Sequence, residues 1–475
     1  MRQFKLPNRD QNYLLMCVNL DSVAPLGSAL RSIDSLVDVL DTSEIEKKYD
    51  LESAQGNVSL HPKTFIKVSL WAIHNCRFSL RKIEEDTANN LGYKWLTGGV
   101  VIDHSTMGKF LANNPIDIEG LIAQVVQIGV EKDLVDFEIL GLDTVKIRAN
   151  ATYKEFRDKK GIRDEKKKIR EKVRELLKKA TKEQTELEKE EYKALKRRQD
   201  RLDEAMKELS KREKERQTEN MRINMTDFDC QHLQQANGET NSGYPVTVAI
   251  DSKSDFITGF KMDELGSDAK NFFPAIKESE KNSGDSHEMT VADPGFASME
   301  NLERLEEEER KALIPDKRMD VEKRGETSKG EYDRSRFKYS EEGDRYRCPA
   351  GAWLESIGEV EQSGRTYNRY ANREACAECA HREKCTKGSY RIVSRDISEW
   401  LKEKMRKELR KAKNKKIYNK RAHMAESPFG QIKHNLKFRM FMRRGKEKVG
   451  MEFSLLCMLH NILKISQVEF GYMTG

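Results

Sequence analysis

The chain has no long apolar run. No stretch of 18 apolar residues occurs in its 475 positions and the mean hydropathy is −0.80, so no segment reads as a membrane-spanning helix. The start, Met1-Arg2-Gln3-Phe4-Lys5-Leu6-Pro7-Asn8, lacks an apolar core followed by a small-residue cleavage site. Without a secretory signal the protein is expected to stay in the cytoplasm. Cysteine is scarce, 8 in all, which excludes a disulfide framework. No internal repeat is present. With 37% hydrophobic and 35% charged residues, the chain is long enough for two or three domains but too wet for one compact ball.

Charge is present but unevenly placed. From Leu401 to Val449 there are 18 Lys/Arg against 4 Asp/Glu, a local net of +14 in a chain of net +7. A basic block inside an otherwise acidic protein is the footprint of a polyanion, because each neutralised phosphate releases condensed counterions. Nucleic acid is therefore the leading partner; a solvated helix face is the alternative. Gly161 to Asn220 differs: 21 basic and 16 acidic residues, with no proline and no glycine after Gly161. Ile169, Val173, Leu176 and Ala180 recur at 4-3-4 spacing, and Leu187, Leu195, Leu202 and Leu209 continue the stripe, which predicts one long helix or a helical hairpin. Because its charges nearly cancel, this arm suits a coiled or dimer contact better than a DNA footprint.

Residues 1–132 read as helical, with apolar positions recurring at Phe65, Val68, Leu70, Trp71 and Ile73 and again from Ile118 to Ile128. Asp103 reads as the cap of a helix after the Gly98-Gly99 turn. Such a helical domain either binds DNA or is a packed bundle. Strand texture follows: Phe137–Asp143, a hairpin from Tyr244–Asp251 and Phe256–Met262, and Met289–Asp293. A helix over Ser298–Lys311 and a strand over Ala312–Asp316 complete a mixed α/β core interrupted by insertions. Its parts are expected at 133–160 and 221–316, with the charged arm at 161–220, a Cys-bearing insertion at 317–395 and a C-terminal helical part at 396–475.

Two predicted strands end in a carboxylate, Asp143 and Asp293, and adjacent strand ends would bring both acids to one rim of the sheet. Two such acids repel, and a divalent cation lets both stay ionised. Glu426, inside the basic block, is the natural third ligand for Mg²⁺, or for two metals ~3.5–4 Å apart that clamp the oxygens of phosphoryl transfer. Taken alone, an Asp at a strand end is more often a turn or cap residue.

Three motifs then carry a resemblance: Gly141-Leu142-Asp143-Thr144-Val145-Lys146-Ile147-Arg148-Ala149-Asn150, Val291-Ala292-Asp293-Pro294-Gly295-Phe296 and Ala425-Glu426-Ser427-Pro428-Phe429-Gly430-Gln431-Ile432-Lys433. They resemble the acidic motifs of DDE transposases of bacterial insertion sequences, in particular the eleven-eighty-two group, related to the group with a Tyr-Arg-Glu-Lys signature. The resemblance implies a ribonuclease-H-like core whose Asp143, Asp293 and Glu426 hold two Mg²⁺ (or Mn²⁺) ions. It also implies a nucleoid-associated protein that cuts transposon ends in double-stranded DNA and joins the freed 3′-hydroxyl to target DNA, as a homodimer holding two ends together. Tyr418, Arg421 and Lys433 match the signature in type, although four residues rather than three separate Arg421 from Glu426. Lys433, Arg439, Arg443 and Arg444 would hold phosphates close to the metals. Glu426 and Lys433 share a face if the helix is continuous; Pro428 predicts a kink there, or a new helix capped by Ser427.

Cys348, Cys376, Cys379 and Cys385 supply four thiols, with His381 an alternative ligand. They suit a structural Zn²⁺, against which stands a set of reduced cysteines in a small core. Cys17, Cys76, Cys230 and Cys457 are isolated and expected to be buried, Cys457 on an amphipathic helix covering the sheet. Two other functions compete with transposition: a transposase-derived DNA-binding protein without catalysis, and a two-metal nuclease of the same fold.

Overall fold

The computed structural model describes residues 19–49, 60–179, 186–234, 238–262, 267–316, 319 and 330–470. Cys17 lies outside them. Of the part read as helical, residues 1–18 and 50–59 lie outside the described residues; the rest contains α1 Ala29–Val39, α2 Ser43–Lys47, α3 Pro62–His74, α4 Leu80–Asn89, α5 Leu91–Thr97, α6 His104–Asn113 and α7 Pro115–Glu131. Asp103 caps α6 as expected, its Oδ1 accepting from the Ser105 and Thr106 amides at 2.8 and 3.1 Å.

A mixed sheet forms the centre of the molecule. It contains β1 Ile139–Arg148, β4 Gln231–Gln234, β5 Thr240–Asp251, β6 Phe256–Met262, β7 Met289–Ala292 and β8 Ala312–Leu313, while β2 Phe156–Arg157 and β3 Ile223–Asn224 pair separately. Its order is β6-β5-β1-β7-β8, with β4 on the far half of β5. The hairpin pair β5 and β6 is antiparallel, β5 is antiparallel to β1, and β7 and β8 run parallel to β1. β1 is longer than its sequence suggested and does not end at Asp143. Its second half, Thr144 to Arg148, keeps pairing with Thr247 to Gly243 of β5 after β7 has left its other side. The helix after β7 is shorter than expected: α11 spans Met299–Glu307, capped by Ser298. Before it, α10 Asp268–Ser283 packs on β6, where a side chain at Gly259 would lie 3.0 Å from the Ser279 amide.

Three C-terminal helices follow: α14 Glu399–Arg410, α15 Ala412–Gly430 and α16 Lys446–Phe470. α16 is not amphipathic. Phe453, Leu456, Cys457, Met458, Leu459, Ile462 and Ile465 are all at 0% exposure, as are Ser454, His460 and Asn461, so the helix is enclosed on all sides through its middle. It lies between β6 and the N-terminal helices α1, α3 and α7, so those helices and the sheet share one hydrophobic core. Its Asn461 amide bonds both the N–H and C=O of Ile257 on β6, at 3.0 and 2.8 Å. Of the isolated cysteines, Cys230 and Cys457 are buried and Cys76 is half-buried.

Two units are appended to this body. The charged segment is a pair of helices, α8 Lys159–Lys179 and α9 Glu186–Arg216. They share their own small core of Ile162, Ile169, Leu202, Ala205 and Leu209, and β2 and β3 tie their bases together. The Cys-bearing segment is a five-stranded antiparallel sheet, β9 Lys338–Ser340, β10 Arg345–Arg347, β11 Trp353–Gln362, β12 Arg365–Ala371 and β13 Ile392–Asp396. Between β12 and β13 lie α12 Arg373–Ala377 and α13 Arg382–Cys385. No described helix is long and apolar enough to cross a membrane.

Candidate active site

The parallel register of β1 and β7 places the two aspartates. Leu142 and Ala292 are the last paired residues, so the next ones, Asp143 and Asp293, stand side by side where β7 leaves the sheet. The backbone holds both: Asp143 Oδ1 accepts from the Thr144 amide at 2.9 Å, and Asp293 Oδ1 from the Gly295 amide at 2.8 Å. Burial pushes both carboxyls up from their usual range, against the pull of the nearby Arg421 guanidinium. Each therefore lacks a full counter-charge.

A third acid, which sequence reasoning missed, joins them. Asp268 opens α10 and acts electrostatically on both Asp143 and Asp293. A Cβ placed on Gly295 would sit 2.9 Å from Asp268 Oδ2 and 2.9 Å from Asp293 Oδ1. Those two oxygens are thus no more than 5.8 Å apart (2.9 + 2.9), and the missing side chain leaves the space between them open. The only signal in the sequence was an acid at the start of a helix, which reads as a favourable dipole contact and nothing more.

Glu426 lies on α15 and is exposed. Gly141 lies two residues before Asp143, on the same face of β1. Lacking a side chain, it admits the Met424 methyl group, which a Cβ would meet at 2.7 Å. Met424 is buried against the strand, and at about 100° per residue Glu426, two positions on, points roughly the opposite way. With Asp143 and Asp293, neither Glu426 nor Asp268 forms a set with donor oxygens within 4.8 Å of one another. Among the described residues the one such set is Glu84, Asp103 and His104. Its members are already engaged, Asp103 as the α6 cap and His104 Nδ1 with Glu84 Oε2 at 2.7 Å.

The basic residues divide. Arg421, one turn before Met424, faces inward with Nη1 3.7 Å from Asp143 Oδ1 and its guanidinium 5.8 Å from the Tyr418 ring. Helix α15 is not broken at Pro428: it runs through that residue and passes directly into a π-helical turn, Gln431–Asn435. The wider turn advances less than 100° per residue, so Lys433 is shifted around the axis from where an unbroken α-helix would put it. Lys433 is half-buried; burial lowers its ammonium's pKa while Asp143 opposes that shift. Arg439 is exposed. Arg444 donates from Nε to the Asn150 carbonyl at 2.8 Å. Burial depresses the Arg443 guanidinium, opposed by Glu452, whose own carboxyl is pushed up to about 7 by burial although it accepts the Met442 and Arg443 amides. The segment from Arg439 to Arg444 runs beside the end of β1, where the Phe441 amide bonds the Arg148 carbonyl at 2.9 Å.

Cys348, Cys376, Cys379 and Cys385 line one cavity of about 290 Å³ with Tyr332 and His381. All four are unpaired with one another, and no three of their sulfurs lie within 4.8 Å. Cys348 and Cys385 also pack on the small core under the second sheet. Burial pushes the Cys385 thiol up, with the other three thiols adding and Arg391 opposing.

The rim sets two desolvated carboxylates, Asp143 and Asp293, beside the Arg421 guanidinium and the half-buried Lys433. Residues 347–466 match the family model described as a transposase DDE domain, and residues 18–113 that described as a transposase domain (DUF772). Together these matches support a DDE transposase. The first contains Arg421, Glu426 and Lys433; Asp143, Asp268 and Asp293 fall outside both. No curated protein and no solved structure matches the chain.

Proposed function

We propose that this chain is a DDE-type transposase that cuts insertion-sequence ends and joins them to target DNA by metal-dependent phosphoryl transfer. The observation that carries the reading is the register Leu142 to Ala292, which sets Asp143 and Asp293 side by side with Arg421 and Lys433 against them. The sheet order supports a ribonuclease-H-like core: three antiparallel strands, then two parallel to the first. Asp143 and Asp293 would hold the divalent cation; the fit is sound because desolvated, under-compensated carboxylates are hard oxygen donors. Bound there, Mg²⁺ or Mn²⁺ would lower the pKa of the attacking hydroxyl or water and offset charge on the leaving oxygen. Arg421 and Lys433 place fixed positive charge where the phosphate enters, and Tyr418 holds the Arg421 guanidinium in place. Arg439, Arg443 and Arg444 extend the phosphate track along the end of β1. Asp268 and Glu426 compete for the third carboxylate position, the first near the pair and the second requiring rotation of α15.

The four cysteines would hold a structural Zn²⁺ once drawn together around their shared cavity. Two ends must be held at once, so the active form is a homodimer on DNA. The exposed position of Glu426 favours the second reading, a DNA-binding protein without catalysis. One assay decides, with Mg²⁺ or Mn²⁺ on a plasmid bearing candidate inverted ends. Joined products establish the transposase, cut products alone a nuclease of the same fold, and bound but uncut DNA a binder.

A further inference from the structure

The two helices of the arm are antiparallel, since Lys159 pairs with Glu213 and Lys166 with Asp203. Their flanks differ. On one, Arg157 and Arg198 interlock with Glu155 and Glu165, four charges that satisfy one another. On the other, Lys159, Arg163, Lys166 and Arg170 line an open groove of about 410 Å³ with Met206 and Ser210 of α9. These four cations follow 4-3-4 spacing, within about 60° of one another at about 100° per residue, and span roughly 16 Å along α8. Glu213 and Asp203 compensate the two lysines. Arg163 and Arg170 alternate with them, are exposed, and have no ion-pair or hydrogen-bond partner among the described residues.

We propose that this flank of the arm is a nucleic-acid contact, a track for duplex phosphates laid along α8 by Arg163 and Arg170 with Lys159 and Lys166. The inference rests on the DNA-joining reading and extends it to a surface away from the carboxylate rim. It also revises what the near-cancelling charge of the segment implied, because on this flank only the two lysines are compensated and Arg163 and Arg170 are not. A cationic ridge of this length suits a polyanion with closely spaced phosphates, for which Arg offers forked donors. It reads backbone and not sequence, so it adds affinity equally to any duplex.

The test is the salt dependence of binding by the full chain to a fluorescent duplex of mixed sequence. Arg163→Gln/Arg170→Gln is compared with Lys168→Gln/Lys172→Gln, which removes the same charge from the opposite, exposed face of α8. Circular dichroism confirms that both variants stay helical. Two lost phosphate contacts lower the slope of log K against log salt by about 1.8, and that drop is expected in the first variant alone. Equal drops in both variants, or an unchanged slope in the first, overturn the proposal while leaving the DNA reading intact. An unchanged slope with a shift from dimer to monomer in light scattering makes the flank a protein contact instead. A wild-type chain that binds no duplex overturns both.

Discussion

At the scale of single residues, burial without full compensation is the common thread. Asp143 and Asp293 have carboxyls raised by burial, so ionising them costs the fold. Folded values above the unfolded ones mean that stability falls as pH rises through them. Asp143→Asn and Asp293→Asn should therefore raise Tm at pH 7.5 without metal, abolish the further rise on adding Mg²⁺, and lower end joining by at least about 100-fold. Differential scanning fluorimetry with and without Mg²⁺ checks the first two, and a variant that keeps its Mg²⁺ response removes that residue from the site. Glu452 offers a cleaner titration. Its carboxyl rises from 4.5 to about 7, so the cost of ionisation is absent below pH 4.5 and complete above pH 7. Glu452→Gln should come closest to wild type near pH 4.5 and exceed it by about 3 kcal/mol at pH 8, at 1.36 kcal/mol per pH unit. Buried His460 has the opposite sign, its imidazole depressed to about 4, so it erodes stability as pH falls from 6.5 toward 4. Urea melts across pH 4.5–8 separate the two effects.

At the scale of elements, the helix caps and the strand runs were legible because they depend on neighbours in sequence, as at Asp103 and along Val246 to Ile250. What escaped depends on neighbours in space. β1 outlives Asp143 because its last residues keep pairing with β5, and Arg148 also bridges Met440 on the other side. α15 survives Pro428 because that ring is buried and the helix leads into a π turn tied at Leu436 to the Gln431 carbonyl, 2.8 Å. The motif spelling for Glu426 was equally visible, yet how α15 seats on β1 follows from Met424 against Gly141, which no spacing rule contains. This makes two tests. Gly141→Ala drives a methyl group into Met424 and should push α15 off β1, costing ~1–3 kcal/mol and weakening the Arg421 contact. Comparing Glu426→Gln with Asp268→Asn in the joining assay identifies the third ligand. If α15 rotates on binding DNA, only the Glu426 variant is inactive; if Asp268 serves, only its variant is.

At the scale of the whole molecule, one large core unites the N-terminal helices, the mixed sheet and α16, while the arm and the second sheet keep separate small cores. The change of composition that marks the charged arm and the Cys-bearing segment is visible in the sequence, and each coincides with a separate small core. The shared core was not, since it joins residues more than 400 positions apart, such as Ser32 and Ser466, whose hydroxyls lie 2.6 Å apart. Separate cores imply separate melting. The second sheet buries few large residues, among them Phe337, Tyr346, Leu354, Tyr370 and Val393, and such a small core rarely holds alone. If its four thiols bind Zn²⁺, the ion supplies the missing stability, because binding to the folded state alone is folding free energy. Protein purified with metal should then contain one zinc per chain by atomic emission, and a zinc chelator should split off an early transition while the main one stays in place. Cys376→Ser/Cys379→Ser should show that early transition with no chelator added. A metal-free chain whose melting ignores the chelator would leave the four cysteines as ordinary packing groups, with the sheet held by Tyr346 and Tyr370 stacked edge-on at 5.1 Å.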